Sequence, residues 1–284
     1  MRVLILGGTR EARDLAAVLV GEPDMTVTTS LAGRVRDPAL PAGETVIGGF
    51  GGVDGLRAFL RARRIDVVVD ATHPFAATMS AHAVAACADV AAAEEPAGPG
   101  SPGAGRLAVP LLRLARPGWT GRPGDDWHRV RDVAAAADRA RELCPAGRGV
   151  FVTTGRRELA PFATDPDRHY VIRAVDPPTG TLPPWHTVLL GRGPYTVEGE
   201  SRILREHDVR VLVSKDSGGD LTAAKLAAAR ALGLPVVLVD RPRQAGPAAP
   251  RWPDVPGVLA ALRAITPRRP DGPSPDRSDL GRRP

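Results

Sequence analysis

A repeated alternation of short apolar runs with helical segments constrains the fold of this chain more than any other feature. Residues 3–6, 65–71 and 209–213 are runs of this kind, rich in valine, isoleucine and leucine. Strands that are buried on both faces of a parallel sheet have this composition. A turn and then a stretch with helical spacing follow each run, in both halves of the chain. The pattern predicts an α/β fold with two Rossmann-like domains, each built on a doubly wound parallel sheet.

Length and composition divide the chain further. The 284 residues, of which 43% are hydrophobic, suffice for two domains, which we expect at residues 1–120 and 128–265. A stretch rich in glycine and proline at residues 93–105 predicts a flexible surface insertion, and the Pro- and Arg-rich residues 266–284 predict a disordered tail. Residues 255–265 predict a final helix, which we expect to pack against the second domain.

Charge and cysteine content narrow the classes of partner. Residues 246–284 hold seven arginines and four aspartates, so half of the net charge of +6 lies in that segment. The remaining mildly basic surface suits a substrate with carboxylates, and we do not expect nucleic-acid binding. Cys87 and Cys144 stand far apart, which indicates neither a disulfide framework nor a metal site. No apolar run approaches about 18 residues and no leader precedes residue 3, so we expect no membrane span. The cysteine usage fits a reducing cytoplasm, and a monomer is the simplest expectation for the oligomeric state.

The first apolar run ends in a glycine turn, Gly7, Gly8 and Thr9, and helical spacing begins directly after it. Such a turn presents backbone N–H groups and the positive end of a helix dipole to an anion above the sheet. The spacing is not the full G-x-G-x-x-G fingerprint of dinucleotide-binding proteins. Two interpretations therefore stay open here, a phosphate-binding turn and a merely tight connection.

The end of the second predicted strand, residues 25–30, bears on the choice of cofactor. In Rossmann-type units an acidic residue at this place holds the ribose 2′-OH of NAD, whereas basic and hydroxyl groups suit the 2′-phosphate of NADP. Here the chain reads Ser30, Leu31, Ala32, Gly33 and Arg34, with no carboxylate. The stretch favours NADP over NAD, and ordinary loop residues remain the alternative.

Further turns follow the other predicted strands, at the sheet edge where ligands of open α/β sheets bind. In the first half, residues 48–52 are four glycines around Phe50, and the strand at residues 65–71 leads into Thr72 and His73. In the second half, Lys215 follows a strand in a chain that uses arginine for every other basic residue except Lys225. A lysine at a strand end is a candidate proton donor, and a local ion pair with Asp216 is the alternative. Lys225 lies inside a predicted helix, where we expect a solvated side chain.

Seven motifs together resemble the precorrin-6A reductase family of cobalamin biosynthesis, which includes cobalt-precorrin-6A reductases. In chain order they read L-I-L-G-G-T-R-E-A, S-L-A-G-R, G-G-F-G-G, D-A-T-H-P-F-A, T-T-G-R-R-E-L, G-P-Y-T-V-E-G-E and S-K-D-S-G-G. The resemblance runs from residue 2 to about residue 242. It implies an NADPH-dependent reduction of one macrocycle double bond in a tetrapyrrole with many carboxylates. It also implies that the active site lies in the cleft between the two domains.

The resemblance further implies roles for individual residues. Those implied to contact NADPH are Gly7, Gly8, Thr9, Glu11, Ser30, Gly33, Arg34, Gly49, Phe50, Gly51, Thr72, His73, Pro74 and Phe75. Those implied to face the tetrapyrrole are Thr154, Gly155, Arg156, Tyr195, Ser217 and Gly218. Because the nicotinamide supplies the hydride, the protein mainly fixes geometry and charge. We expect the proton to come from Lys215 or Asp216, with direct delivery from water as a third possibility.

Two other classes of protein remain open. A short-chain dehydrogenase would need a Tyr-x-x-x-Lys pair, but Ala174 and Gly199 stand four residues after Tyr170 and Tyr195. A non-enzymatic NADP-sensing module would bind the cofactor in the first sheet and a partner protein on the second. It predicts tight NADP binding without turnover.

Overall fold

The computed structural model describes residues 1–33, 40–89, 108–243 and 249–265. The first part of the chain forms β1 (Arg2–Leu6), α1 (Arg10–Val20), β2 (Thr26–Leu31), β3 (Glu44–Ile47), α2 (Val53–Ala62), β4 (Val67–Asp70), α3 (Ala77–Asp89) and β5 (Leu111–Leu114). The second part forms β6 (Trp127–Val130), α4 (Val133–Leu143), β7 (Gly149–Val152), β8 (His169–Ala174), β9 (His186–Leu190), α5 (Val197–Glu206), β10 (Val209–Lys215), α6 (Ala224–Ala231), β11 (Val236–Val239), β12 (Arg251–Trp252) and α7 (Val255–Ala264).

The strands form two six-stranded sheets in which all neighbours are parallel. The first sheet has the order β12-β5-β4-β1-β2-β3, and the second has the order β6-β11-β10-β7-β8-β9. In each sheet the strand order reverses at a central strand, β1 or β7. The predicted fold, two Rossmann-like doubly wound sheets, is confirmed. The reversal opens a crevice at the carboxyl ends of the strands, where such folds bind ligands.

Continuous burial explains why the strands read as apolar runs. Val3 and Ile5 point to one face of the first sheet and pack in the core with α1 and α7. Leu4 and Leu6 point to the other face and pack in the core with α2 and α3. Both faces are covered, so no polar alternation appears in β1. The second sheet follows the same rule, with Phe151 on the opposite face from its neighbours in β7.

The two sheets exchange their edge strands. After β5 the chain crosses to the second sheet, where β6 pairs with β11, and after β11 it returns so that β12 pairs with β5. The expectation that residues 255–265 pack against the second domain is therefore wrong. Val258 and Leu262 of α7 are fully buried in the core of the first sheet, beside Leu15 and Leu19 of α1. The second domain accordingly ends near residue 240 rather than at residue 265.

Three predictions lie outside the described residues. They concern the insertion at residues 93–105, the tail at residues 266–284 and the side chain of Arg34. Within the ranges that the structure covers, no helix combines the length and the apolar character needed to cross a bilayer.

The return of the chain to the first sheet predicts a stability effect at Leu262. Leu262→Ala removes fully buried methyl groups that pack on α1, and we expect a loss of about 2–5 kcal/mol in the free energy of unfolding. Urea denaturation measures the loss, with Leu259→Ala, at a partly exposed position of the same helix, as the smaller control. Hydrogen exchange should accelerate in β1 more than in β7. Equal acceleration in both strands would contradict the assignment of α7 to the first domain.

Candidate active site

A large cavity lies where the carboxyl ends of the two sheets face each other. Its volume is about 1900 Å³, well above the roughly 300–1,000 Å³ of an ordinary ligand pocket. Turns that follow β1, β2, β3 and β4 line it from the first sheet, and turns that follow β7, β8, β9 and β10 line it from the second. The volume and the double lining suit two ligands that meet between the domains.

The turn after β1 brings the N-terminus of α1 to the cavity. Thr9 fixes this turn, because its hydroxyl donates to the Ala71 carbonyl (2.9 Å) and accepts from the Ala12 N–H (3.1 Å). Gly8 adopts a φ of +112°, and the space beside it is open. Only glycine takes up this backbone conformation without strain. The turn therefore exposes backbone to the cavity, as a phosphate-binding turn does.

The turns after β2 and β3 complete the wall beside α1. Ser30 is buried at the end of β2 and accepts a hydrogen bond at its carbonyl from Gly7 N (2.9 Å). Phe50 packs edge-on against Phe59 of α2, with ring centroids 5.0 Å apart. Gly55 lets this turn lie on the helix, since a Cβ there would clash with the Phe50 carbonyl oxygen. These two turns bring five of the predicted cofactor residues to the cavity: Ser30, Gly33, Gly49, Phe50 and Gly51.

A buried carboxylate holds the turn after β4. Asp70 accepts hydrogen bonds from Thr72 Oγ1 (2.7 Å), Thr72 N (3.1 Å) and Ser80 Oγ (2.6 Å), and it pairs with Arg113 (3.2 Å). Four donors on one carboxylate leave the turn little freedom. Thr72 and the next residue, His73, are thereby fixed in the cavity wall.

His73 is held as a neutral imidazole. Its Nδ1 accepts from the Phe75 N–H (3.3 Å), which places the ring proton on Nε2. Burial lowers the pKa of His73 to about 4, and the positive charges of Arg116, Lys215 and Arg241 act in the same direction. His73 contributes a neutral donor to the wall at physiological pH.

The second domain contributes a wall with aromatic and cationic side chains. Tyr195 donates from its hydroxyl to the Gly191 carbonyl (2.9 Å), and the Arg173 guanidinium lies 3.8 Å from the centre of its ring. Arg173 also forms an ion pair with the buried Glu200. Of the residues predicted to face the substrate, the cavity is lined by Gly155, Tyr195, Ser217 and Gly218. Thr154 and Arg156 lie outside the lining, as do Pro74 and Phe75 from the predicted cofactor set.

The two candidate proton donors have different surroundings. Neither of them is among the residues that line the cavity. Lys215 forms an ion pair with Glu158, and its Nζ lies 5.1 Å from the centre of the Phe75 ring. Asp216 is only 4% exposed, and its carboxylate accepts from Trp119 N (3.0 Å) and Arg129 Nη2 (2.8 Å). The local ion pair between Lys215 and Asp216 that remained open in the sequence is not formed. Asp216 is bound instead to the crossing segment, residues 115–126, which connects β5 to β6.

The side chain of Lys225 has a different environment from the solvated one that the sequence predicts. Instead of a solvated side chain it is 5% exposed, donates from Nζ to the Thr222 carbonyl (3.0 Å) and lies 5.0 Å from the centre of the Trp119 ring. Burial lowers the pKa of Lys225 to about 7, helped by the nearby charge of Arg173. The only signal in the sequence is a lysine in a helix made mostly of alanine. Lys225 and Arg173 both line the cavity.

Arg116, in the crossing segment, belongs to none of the sequence motifs that predict the site. Its guanidinium donates to Glu11 Oε2 (2.7 Å) from Nη1 and to the Ser217 carbonyl (2.7 Å) from Nε. One side chain thus connects the turn after β1 to the turn after β10.

Comparison with known proteins accords with this geometry. The chain matches the family described as Precorrin-6x reductase CbiJ/CobK over residues 2–93 and 102–263. The chain belongs to this reductase family. The resemblance stated from the seven motifs is thereby confirmed.

Individual members of the precorrin-6x reductase family match over most of their length. A protein named precorrin-6A reductase from Rhodococcus erythropolis is 46% identical over 94% of this chain and 99% of its own length. A protein of the same name from Mycobacterium tuberculosis is 48% identical over 85% of this chain and 89% of its own length. A solved structure named CobK precorrin-6A reductase superposes with a TM-score of 0.80 at 42% identity, covering 94% of this chain and 99% of that one.

The low pKa of His73 predicts a pH effect on stability. An unfolded histidine titrates near pH 6.5, whereas His73 in the folded chain titrates at about 4. As the pH falls below 6.5, the unfolded chain binds a proton that the folded chain resists. His73 therefore lowers the free energy of unfolding progressively down to about pH 4, and contributes nothing above pH 7.

NMR titration of the His73 ring, assigned by comparison with His73→Asn, should give a midpoint near 4. The same variant should lose less stability than the wild type between pH 7.5 and pH 5 in chemical denaturation. A midpoint near 6.5 would contradict the partly buried, neutral state of His73.

Proposed function

We propose that this chain is an NADPH-dependent reductase of precorrin-6A or cobalt-precorrin-6A, which reduces one macrocycle double bond to the dihydro product in cobalamin biosynthesis. The observation that carries the proposal is the shared cavity, in which phosphate-binding architecture on one wall faces aromatic and cationic groups on the other. Membership in a reductase family supports the reaction class. When bound, the cofactor supplies the hydride.

The first sheet has the features needed to bind a dinucleotide. Gly7, Gly8 and Thr9 would hold the phosphates at the N-terminus of α1, and Glu11 stands in the first turn of that helix. Ser30 and Gly33 lie where the ribose 2′-phosphate is expected, and Arg34 follows them in the sequence. Gly49, Phe50 and Gly51, with Thr72 and His73, would line the nicotinamide side.

The second sheet has the features needed to bind a flat, acidic ligand. A tetrapyrrole carries a broad apolar ring edged by carboxylates, and such a ligand matches aromatic faces combined with cations. Tyr195 and Trp119 supply aromatic surface in the cavity, and Arg173 supplies positive charge. Lys225, whose pKa is lowered to about 7, supplies an amine that a neighbouring carboxylate would favour in its charged form. Gly155, Ser217 and Gly218 would let the macrocycle approach the backbone closely.

Reduction also needs a proton on the atom beside the one that receives the hydride. Asp216 is a poor source, because its carboxylate is held by the charged Arg129 and by a backbone N–H. Lys215 carries an ammonium group at the strand end, and its ion pair with Glu158 holds the side chain in place. We assign the proton to Lys215, with water as the alternative source.

Turnover tests the proposed activity directly. Purified protein incubated with NADPH and precorrin-6A should oxidise NADPH, followed as loss of nicotinamide absorbance, with much slower oxidation of NADH. Omission of the precorrin is the control and should abolish the oxidation. Tight NADP binding without oxidation in the presence of authentic precorrin would refute the reductase and favour a sensing module. Parallel assays with cobalt-precorrin-6A would identify the preferred substrate.

The two lysines of the chain form a matched pair of variants. Lys215→Met should lower kcat by about 100-fold or more, because general-acid assistance typically contributes that much, while the affinity for NADPH stays unchanged. Lys225→Met should raise KM for the precorrin by about 10-fold with little change in kcat, since it removes a carboxylate partner worth about 1.4 kcal/mol. Steady-state kinetics at fixed pH separates the two effects. An unchanged kcat in Lys215→Met would leave water as the proton source.

A further inference from the structure

The crossing segment that leaves β5 carries one side chain that reaches both walls of the cavity. Arg116 donates from Nη1 to Glu11 Oε2 (2.7 Å) in the first turn of α1, and from Nε to the Ser217 carbonyl (2.7 Å). Glu11 belongs to the proposed cofactor wall and Ser217 to the proposed substrate wall. The side chain of Arg116 is only 18% exposed, so these contacts are shielded from bulk water.

The backbone at Arg116 is held by Arg241, which lies just after β11 where the chain returns to the first sheet. Arg241 donates to the carbonyls of Arg116 (2.8 Å) and Pro117 (3.0 Å), and also to the Asp216 carbonyl (2.9 Å). The substrate-facing turn is packed directly on this segment, because a Cβ at Gly218 would clash with the Pro117 carbonyl oxygen. The backbone that carries the Arg116 side chain is therefore rigid. The two hydrogen bonds of its guanidinium, to Glu11 and to the Ser217 carbonyl, cannot shift independently.

The charge of the pair explains why an acidic residue stands so close to a phosphate-binding turn. A bare carboxylate in the first turn of α1 would repel the phosphates of a dinucleotide. Burial raises the pKa of Glu11, but the hydrogen bond and charge of Arg116, together with hydrogen bonds from the Glu11 backbone and from Thr9, outweigh burial, and the pKa lies below its usual value. Glu11 stays ionised and neutralised by Arg116. A change in the electrostatic potential at the cofactor turn therefore acts on the Arg116 guanidinium, which also binds the Ser217 carbonyl.

We propose that Arg116 is a positioning residue that couples the two ligands, so that filling the cofactor turn orders the turn formed by Ser217 and Gly218 for the tetrapyrrole. The inference rests on the proposed function. Coupling of this kind is reciprocal, and each ligand tightens the other by the same factor, typically 5–150-fold. If Arg116 had a purely structural role, substituting it would lower the free energy of unfolding and leave the coupling factor unchanged.

The coupling factor is measurable without turnover. Calorimetric titration of the full chain with NADP⁺ alone, with precorrin-6A alone, and with each in the presence of the other gives the factor directly, because the oxidised cofactor cannot reduce the precorrin. For the wild type we expect a factor of 5 or more. In Arg116→Met and Glu11→Gln it should fall to about 1, because either change breaks the connection. Arg116→Lys keeps the charge but reaches only one partner, and should give an intermediate value.

Arg129→Met is the matched control. Arg129 donates to the Asp216 carboxylate (2.8 Å), which also binds the backbone of the crossing segment, and it donates to Asp240. It does not contact Glu11. The substitution should lower the free energy of unfolding and leave the coupling factor at the wild-type value. A wild-type factor of 1, an unchanged factor in Arg116→Met and Glu11→Gln, or an equal loss in Arg129→Met would each overturn the inference. Failure of the wild type to bind either ligand would instead refute the proposed function itself.

Discussion

The cavity depends on the way in which the chain crosses between its two sheets. Arg241 binds three carbonyls at the crossing, and the buried carboxylate of Asp216 binds the backbone of Trp119 and the guanidinium of Arg129. These contacts join β5, β10 and the return segment after β11 at one place. Because the exchanged edge strands fix both sheets to the same junction, their carboxyl ends face each other across the cavity. Two Rossmann-like units joined by a single flexible linker would have no such constraint.

Much of this fold is predictable from local sequence, and the rest depends on long-range pairing. Buried strands such as β1 and β10 are recognisable in the sequence as apolar runs. Thr9 and Asp132 are N-cap residues at the positions where helical spacing begins. The strands β6 and β12 have no such signal, since two of the four residues of Trp127–Val130 are polar and Arg251–Trp252 is only two residues long. Their positions follow from partners that are far away in the chain. The misplacement of α7 has the same origin.

The candidate site likewise contains residues that the sequence predicts and residues whose orientation depends on tertiary packing. Strand-end positions put Gly8, Thr72, His73 and Ser217 at the cavity, as the topology of parallel sheets requires. Sequence position cannot say which way a side chain turns once it is there. Asp216 turns to the crossing segment and Lys225 turns inward under Trp119, and only the tertiary packing distinguishes these outcomes. The importance of Arg116 likewise appears only when both domains are in place.

The central claim is that cofactor and macrocycle meet directly in this cavity. NADPH carrying deuterium at both C4 positions of the nicotinamide tests it, with mass spectrometry of the reduced precorrin as the readout. The account predicts one deuterium in each product molecule, because hydride passes from the first wall of the cavity to the ligand on the second without exchange. A reduced product without deuterium, with the label recovered in water, would contradict direct transfer.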